Sequence, residues 1–491
     1  MAQSHGDRLS AVDASFLAQE RANSHMHVGA VLIFEGPAPA YDDFLNHIRS
    51  RLHLVPRYRH KLAFPPLETG RPIWVDDRNF NLEYHVRHTA LPEPGSEEQL
   101  LLLAGRIFSQ QLDRARPLWE VWMVEGLADG GFALVSKSHH AMIDGIAGVD
   151  IAQVLFDLSP VPADVPHPDQ AWQPAREPSS AEVLAAGTLG LLRAGVRTAT
   201  HAAGMLRAPG AALAGAREAA EGLGEIVWAG LNPAPETPLN VEIGPHRRYE
   251  VVRTSLDDFK LVKNAFGGTV NDVVLAVVSG ALRDCLQSRG VRTEGLELRA
   301  LVPVSIRAAG ERGALGNRIA AMRGPLPVYI EDPVERLRSV REAMDGLKES
   351  KQAVGAEVLS GMQNFAPPTI LAQASRLNFS TRLFNLIVTN VPGPQFPLYV
   401  RGRELEAAFP VAFLPKDHAL AIAIMSYNGQ MNFGLLGDYD ALDDIRLVAD
   451  GIRASLEELV AHARAAAPDG GDDPTSNGRA RSRGAASSAR R

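Results

Sequence analysis

Two adjacent histidines, His139 and His140, are followed at fixed spacing by Asp144 and Gly145. An imidazole is the side chain whose ordinary pKa best suits proton abstraction near neutral pH, so the pair is a candidate general base. The alternative is structural: two satisfied histidines at a strand end, with Asp144 as the N-cap of the next helix. The complete spacing favours the chemical interpretation, and Gly145 suits a close backbone approach that a Cβ would block.

Two predicted elements position this motif. A strand-like run, 132–138, leads into it, and a helix-like run, 146–158, leads out of it. Successive strand side chains point to opposite faces, so a strand that continued through the pair would place His140 with Phe132 and Leu134. His139 would then point the other way, and the two imidazoles would do different jobs.

Cofactor chemistry is not indicated by the sequence. Neighbouring histidines on opposite strand faces converge poorly, so a metal site built on His139, His140 and Asp144 is not expected. The sequence contains no nucleotide-binding glycine motif and no Gly-x-Ser-x-Gly nucleophile elbow. Cys285 falls on the apolar face of a predicted helix, which favours a buried structural thiol. We therefore expect no cofactor, no metal and no covalent enzyme intermediate.

The composition is that of an ordinary globular protein: 491 residues, net charge −7, 45% hydrophobic and 22% charged residues. No basic field of the kind that nucleic-acid binders need is evident. A single cysteine excludes a disulfide within the chain and fits a reducing compartment. No charged-then-apolar leader follows Met1, and no apolar run reaches membrane-spanning length. We expect a cytoplasmic protein, soluble or peripheral to a membrane.

Composition divides the chain into four parts. Residues 1–165 and 246–466 each alternate strand-like and helix-like runs, whereas 166–245 is a linker rich in Pro, Ala and Gly that carries an amphipathic helix. The basic tail, 467–491, lacks hydrophobic periodicity and should be disordered. The predicted strands are 28–34, 121–125, 132–138, 298–304, 384–389, 419–426 and 431–436; the predicted helices outside the linker and the motif include 41–52, 97–111, one that starts at 269–272, and 442–464.

The linker contains a basic, partly apolar stretch at 181–221. Its first part holds one acidic residue, Glu182, and four arginines: Arg193, Arg197, Arg207 and Arg217. A helix with basic and apolar faces can lie on an anionic lipid surface. The alternative is a crossover helix packed on the protein, with its arginines solvated. Flotation with anionic liposomes, comparing the wild type with the four arginines changed to glutamine, separates the two.

Many further motifs follow in order along the chain. The whole set resembles the bacterial wax ester synthase/diacylglycerol acyltransferase family, whose members carry the His-His-x-x-x-Asp-Gly pattern, over residues 7–462. This resemblance implies a two-domain α/β fold of the chloramphenicol acetyltransferase-like, condensation-domain-like type, with an active-site tunnel at the domain interface. The motifs are Leu9–Leu17, Met26–Gly29, Val55–Arg59, Trp74–Asp77, Tyr84–His88, Arg116–Glu120, Ser138–Gly145, Asn271–Val274, Val302–Arg307, Gly316–Asn317 and Asn390–Pro394.

The resemblance also implies roles for individual residues. His140 is the general base and His139 supports it, while Asp144 pairs with Arg307 and shapes the turn that also contains Gly145. The alternative for this pair is a helix N-cap and a surface arginine. Three residues are implied at the substrate: Trp119, Asn271 and Asp272. Each has a structural alternative, because a tryptophan often packs in a core, and Thr269 with Asp272 has the spacing of a capping box.

The activity implied by the resemblance is transfer of a long-chain acyl group from acyl-CoA to the hydroxyl of diacylglycerol, making triacylglycerol, with long-chain alcohols as a second acceptor class. Acyl-CoA and the lipid acceptor are then the partners, with peripheral contact at the inner membrane or at lipid droplets. Two alternatives stay open: acylation of a carrier-bound polyketide or peptide, and a non-catalytic lipid-binding protein with the same fold. Release of free CoA in the presence of dioleoylglycerol separates both from the leading hypothesis.

Overall fold

The computed structural model describes residues 9–66, 71–142, 154–163, 165, 171–179, 181–183, 232–305, 319–349 and 380–466. In these residues the chain forms two six-stranded sheets and one small two-stranded sheet, with helices packed against them. The elements are helices α1 (Ala11–Gln19), α2 (Tyr41–Arg51), α3 (Leu82–His85), α4 (Glu97–Ser109), α5 (Leu256–Phe266), α6 (Val270–Ser288), α7 (Pro333–Glu349) and α8 (Ile445–Ala466), and strands β1 (His27–Phe34), β2 (His60–Ala63), β3 (Ile73–Asp76), β4 (Val86–Ala90), β5 (Trp119–Glu125), β6 (Phe132–His139), β7 (Arg247–Ser255), β8 (Leu298–Ser305), β9 (Ile319–Leu326), β10 (Leu386–Pro392), β11 (Tyr399–Val400), β12 (Arg403–Val411), β13 (Leu420–Tyr427) and β14 (Gln430–Asp438).

Local sequence signals explain where several helices begin. The Ser96 side chain accepts the backbone N–H of Gln99, and the Gln99 side-chain oxygen accepts the backbone N–H of Ser96, which closes a capping box at the start of α4. Thr269 and Asp272 form the same arrangement at the start of α6. The predicted helix start at 269–272 is therefore confirmed, and Cys285 on that helix is buried as expected.

The first sheet has the order β11-β12-β1-β6-β5-β4. Its neighbours are antiparallel except β4 and β5, which run parallel. Strand β6 lies near the centre and all eight of its residues are buried. Strands β11 and β12 come from the C-terminal half of the sequence, so a division of the chain into consecutive segments does not describe this sheet completely.

The second sheet has the order β7-β14-β13-β10-β8-β9. Here β10 runs parallel to both β13 and β8, and the outer pairs are antiparallel. Helices α5, α6, α7 and α8 cover one face of this sheet and enclose a large apolar core with it.

The two sheets are held together by a separate apolar core. It joins residues of β1, β6 and β12 to residues of β7, β10 and β13, with α4 at its side. Tyr249, buried on β7, donates its hydroxyl to the carbonyl oxygens of Phe409 and Pro410 on β12, at 3.1 Å each. At Gly434 a Cβ would lie 1.9 Å from the carbonyl oxygen of Pro410, so glycine permits this close approach of β14 to β12.

The sequence predicted about half of these elements, each to within a few residues. Strands 28–34, 121–125 and 132–138 correspond to β1, β5 and β6, and helices 41–52 and 97–111 correspond to α2 and α4. The helix-like run 146–158 falls mostly outside the described residues. Of its described residues, 154–155 are helical, whereas Asp157 forms an isolated bridge with Tyr399, so the helix ends earlier than predicted.

No single helix in the described part of the chain has both the length and the apolar composition to cross a membrane. Helices α5 and α6 pass the same test only when taken together, and they meet at a bend of 100°.

Candidate active site

The histidine pair lies where a buried strand turns into a short 3-10 helix. Strand β6 ends at His139, and His140 begins the turn 140–142. The backbone N–H of His140 donates to the carbonyl of Met26 at 2.8 Å, which ties the turn to the chain just before β1. The strand would have to include His140 for its ring to share a face with Phe132 and Leu134. It ends one residue earlier, so that condition is not met and the turn sets the direction of the ring.

The His140 ring lies between two phenylalanines from distant parts of the sequence. Phe16 of α1 stacks on it with ring centroids 3.9 Å apart. Phe413, which follows β12, meets it edge-on at 5.7 Å. Phe413 belongs to the core between the two sheets, and Phe16 packs against that core. His140 thus lies where the two halves of the fold meet.

This apolar setting determines the charge of His140. Burial lowers the pKa of the imidazole to about 4; the backbone carbonyl of His140 acts against this shift, and the nearby His139 adds to it. The ring is therefore neutral at pH 7, which is the form that can accept a proton. The candidate base has the correct protonation state, with an apolar surface around it.

His139 has a different environment from His140. Its side chain is 1% exposed. Its Nδ1 accepts the backbone N–H of Ala141 at 3.0 Å, so this nitrogen carries the lone pair. Its Nε2 lies 3.6 Å from Oε2 of Glu20, the residue that caps the C-terminal end of α1. His139 is thus buried and stabilises the turn through its bond to the Ala141 backbone.

Sequence reasoning missed Glu20. Its buried carboxylate accepts a hydrogen bond from Arg114 Nε at 2.8 Å and lies 3.5 Å from Nε2 of His27. Burial alone would raise the Glu20 pKa, but His139 and Arg114 outweigh it and lower the pKa to about 2. The only sequence signal for Glu20 was its spacing, four residues after Phe16 and therefore on the same helix face. That spacing does not indicate that Glu20 contacts His139, His27 or Arg114.

Trp119 is a core residue. Its indole Nε1 donates to the carbonyl of Tyr58 at 2.8 Å, and its ring stacks on His85 at 4.7 Å. Only 2% of the residue is exposed. It also borders a surface cavity of about 510 Å³ that Arg87 and Arg114 line. Its packing and its hydrogen bond are enough to explain a tryptophan at position 119, and contact of Trp119 with substrate stays a prediction.

Asn271 and Asp272 begin α6. The Asp272 carboxylate accepts from the Thr269 backbone N–H at 2.7 Å and from the Thr269 hydroxyl at 2.8 Å, and Asp272 is fully buried. These bonds are those of the capping box, so the structural interpretation accounts for Asp272. A substrate role for Asn271 or Asp272 stays a prediction.

Three predicted site residues, Asp144, Gly145 and Arg307, lie outside the described residues, so the predicted pairing of Asp144 with Arg307 stays a prediction. Within the ranges that the structure does describe, no three His, Cys, Asp or Glu side chains are grouped so that they could hold a metal ion.

Solved structures share this arrangement of two sheets. The wax ester synthase/diacylglycerol acyltransferase from Marinobacter aquaeolei VT8 superimposes with a TM-score of 0.64 at 28% identity, over 93% of this chain and 100% of that one. The first condensation domain of CDA synthetase matches with a TM-score of 0.55 at 14% identity, over 94% and 97% of the two chains, which shows the fold alone. The fold is the two-domain, chloramphenicol acetyltransferase-like α/β fold.

Sequence comparison narrows this class to one family. The model of the wax ester synthase/diacylglycerol acyltransferase catalytic domain matches residues 9–274, and that of the WS/DGAT C-terminal domain matches 315–460. The probable diacylglycerol O-acyltransferase tgs1 of Mycobacterium tuberculosis is 36% identical over 93% of this chain and 96% of its own length. Its counterpart tgs2 is 33% identical over 91% and 97%. The chain belongs to the wax ester synthase/diacylglycerol acyltransferase family.

Proposed function

We propose that this acyltransferase moves a long-chain acyl group from acyl-CoA to the free hydroxyl of diacylglycerol, with His140 as the general base. The observation that carries the proposal is the position of the His140 imidazole between Phe16 and Phe413 at the junction of the two halves, where burial lowers its pKa. A base at that position has an apolar surface beside it, which suits a lipid acceptor and an acyl chain.

The chemistry needs one proton carrier. The His140 imidazole takes the proton of the acceptor hydroxyl as the hydroxyl oxygen attacks the thioester carbonyl carbon. The new C–O ester bond forms and the C–S bond breaks. The proton on the imidazole then passes to the departing CoA sulfur, which leaves the enzyme unchanged. A positioned general base contributes about 10²–10⁴-fold to such a step.

The identity of the acceptor rests on the relatives. Proteins 33–36% identical to this chain over more than nine-tenths of its length are named diacylglycerol O-acyltransferases. The Marinobacter protein, at 28% identity, is named for both wax ester synthesis and diacylglycerol acylation. Diacylglycerol is therefore the proposed acceptor, and long-chain alcohols are the second class to test.

The deciding experiment incubates the purified full-length chain with oleoyl-CoA and, in parallel, dioleoylglycerol, hexadecanol or no acceptor. Free CoA is followed with a thiol reagent, and the lipid product is identified by mass spectrometry. We expect CoA release and trioleoylglycerol with dioleoylglycerol, unchanged by EDTA. CoA release with hexadecanol but not with dioleoylglycerol would show that the acceptor is a long-chain alcohol and not diacylglycerol. No release with either acceptor would favour a carrier-bound acceptor or a lipid-binding role.

A further inference from the structure

Helix α1 touches both histidines of the motif. Phe16 and Glu20 lie one helical turn apart, and the Glu20 backbone N–H donates to the Phe16 carbonyl at 3.2 Å. Residues four apart share a helix face. Phe16 meets the His140 ring, and the Glu20 carboxylate meets His139. One face of α1 therefore supports the turn that carries the candidate base.

The hydrogen bonds define the tautomer of His139. Its Nδ1 accepts the Ala141 backbone N–H at 3.0 Å, so Nδ1 must be unprotonated. The ring N–H is then on Nε2, which lies 3.6 Å from the Glu20 carboxylate. That distance is longer than a formed hydrogen bond. Such contacts often tighten when a substrate completes the site.

The Ala141 bond to His139 matters for His140. Because His140 lies between His139 and Ala141, this bond closes the chain around it. The opposite tautomer of His139 would set an N–H against the Ala141 N–H and open the turn. The direction of the His140 ring thus depends on which nitrogen of His139 carries the proton.

Arg114 holds Glu20 in place. Its Nε donates to Oε2 of Glu20 at 2.8 Å, and one of its terminal amino groups donates to the Leu17 carbonyl at 2.9 Å. The Glu20 side chain is 1% exposed, so an unpaired carboxylate there would be costly. The guanidinium keeps the carboxylate ionised and tied to the end of α1.

We propose that Glu20 is a positioning residue of the acyl transfer, acting through His139: it fixes the tautomer whose Nδ1 holds the Ala141 N–H and thereby directs His140. This inference rests on the proposed function, in which His140 is the base. In metal sites and catalytic triads, a carboxylate behind an imidazole plays the same orienting part.

The test is a double-mutant cycle on kcat for oleoyl-CoA and dioleoylglycerol. We expect Glu20→Gln to lower kcat about 10–100-fold, since misplacement of a catalytic group by about 1 Å costs up to about 10²-fold, and to leave KM for oleoyl-CoA unchanged. In His139→Asn the amide oxygen can accept the Ala141 N–H without any tautomer. That variant should keep more activity than His139→Leu, and Glu20→Gln added to it should lower kcat no further.

Two outcomes would overturn the inference: an equal loss from Glu20→Gln in both backgrounds, or equal activities of His139→Asn and His139→Leu. The matched control is Glu97→Gln, a half-exposed glutamate paired with Arg253, which should keep wild-type kcat. Circular dichroism checks the fold of every variant.

A spectroscopic readout keeps the inference testable if Glu20→Gln does not fold. In wild-type protein with ¹⁵N-labelled histidines, the His139 signals, identified by their loss in His139→Asn, should show the proton on Nε2. A proton on Nδ1 would overturn the inference. A wild type that shows the Nε2 tautomer but no turnover with dioleoylglycerol would contradict the proposed function and leave this assignment of His139 intact.

Discussion

The Lys137 ammonium and the Glu120 carboxylate form a buried ion pair, with Nζ 2.5 Å from Oε1, directly across the β5–β6 ladder. Lys137 also donates to the carbonyls of Ile107, at 2.8 Å, and Gln110, at 3.0 Å, where α4 ends. A cation suits the carbonyl end of a helix. Two residues before His139, Lys137 therefore fastens strand β6 to both α4 and β5.

The first prediction concerns that pair. Lys137→Met should lower the free energy of unfolding by about 3–5 kcal/mol, because it leaves a buried carboxylate without its closest cation. Urea denaturation followed by fluorescence measures it. The matched control is Lys260→Met, which breaks the surface pair with Asp257 and should cost under about 1 kcal/mol. Equal costs for the two variants would show that burial of the Lys137 pair contributes nothing.

The second prediction concerns the base. His140→Ala should lower kcat at least about 10²-fold, the lower end of what a general base supplies, while the protein folds normally. The matched control is His462→Ala, at an exposed position of α8, which should keep full activity. A folded His140→Ala protein with near-wild-type turnover of oleoyl-CoA would remove His140 from the mechanism.

The third prediction concerns the pH dependence of the reaction. Burial lowers the pKa of His140 to about 4. The imidazole is active when neutral, so kcat/KM should stay level from pH 7 to about pH 5 and fall as the pH drops through about 4. Brief incubations, each followed by an assay of the same sample at pH 7, separate titration from inactivation. An acidic limb centred near the ordinary histidine value of about 6.5 would contradict the assigned environment.

The fourth prediction concerns stability at acid pH. His47 on α2 is buried; Arg51 donates to its ring, and its Nε2–H donates to the Leu155 carbonyl at 2.9 Å. Burial, opposed by the Leu155 bond and assisted by Arg51, lowers the His47 pKa to about 4. The unfolded chain, with an ordinary histidine, therefore binds more protons between about pH 6.5 and pH 4, so stability falls as the pH drops through that window.

The variant His47→Gln keeps a donor for Leu155 and has no titrating ring. The stability of this variant relative to the wild type should rise by about 2 kcal/mol of unfolding free energy between pH 7 and pH 5. Over that range only the wild type loses stability, because its unfolded chain protonates the His47 ring and its folded state does not. Urea midpoints at the two pH values give the difference, with His462→Gln as the exposed control. A stability difference from the wild type that is the same at both pH values would count against the buried neutral ring.

The sequence by itself determined the features that depend on near neighbours in the chain. The His-His-x-x-x-Asp-Gly spacing pointed to His140, and the capping box of Thr269 and Asp272 marked the start of α6. Alternating and continuous apolar runs located β1, β5 and β6. Such signals are local, because they come from hydrogen bonds and side-chain periodicities that span only a few residues.

Only the tertiary structure decided which distant groups meet. The docking of α1 brings Glu20 to His139 and Phe16 to His140, and the insertion of β12 beside β1 brings Phe413 to the same ring. No periodicity in the sequence indicates these contacts, because they join residues that are far apart in the chain and meet only when the chain folds around a shared apolar core. The low pKa of His140 follows from that closure, since the burial that shifts it comes from side chains far away in the chain.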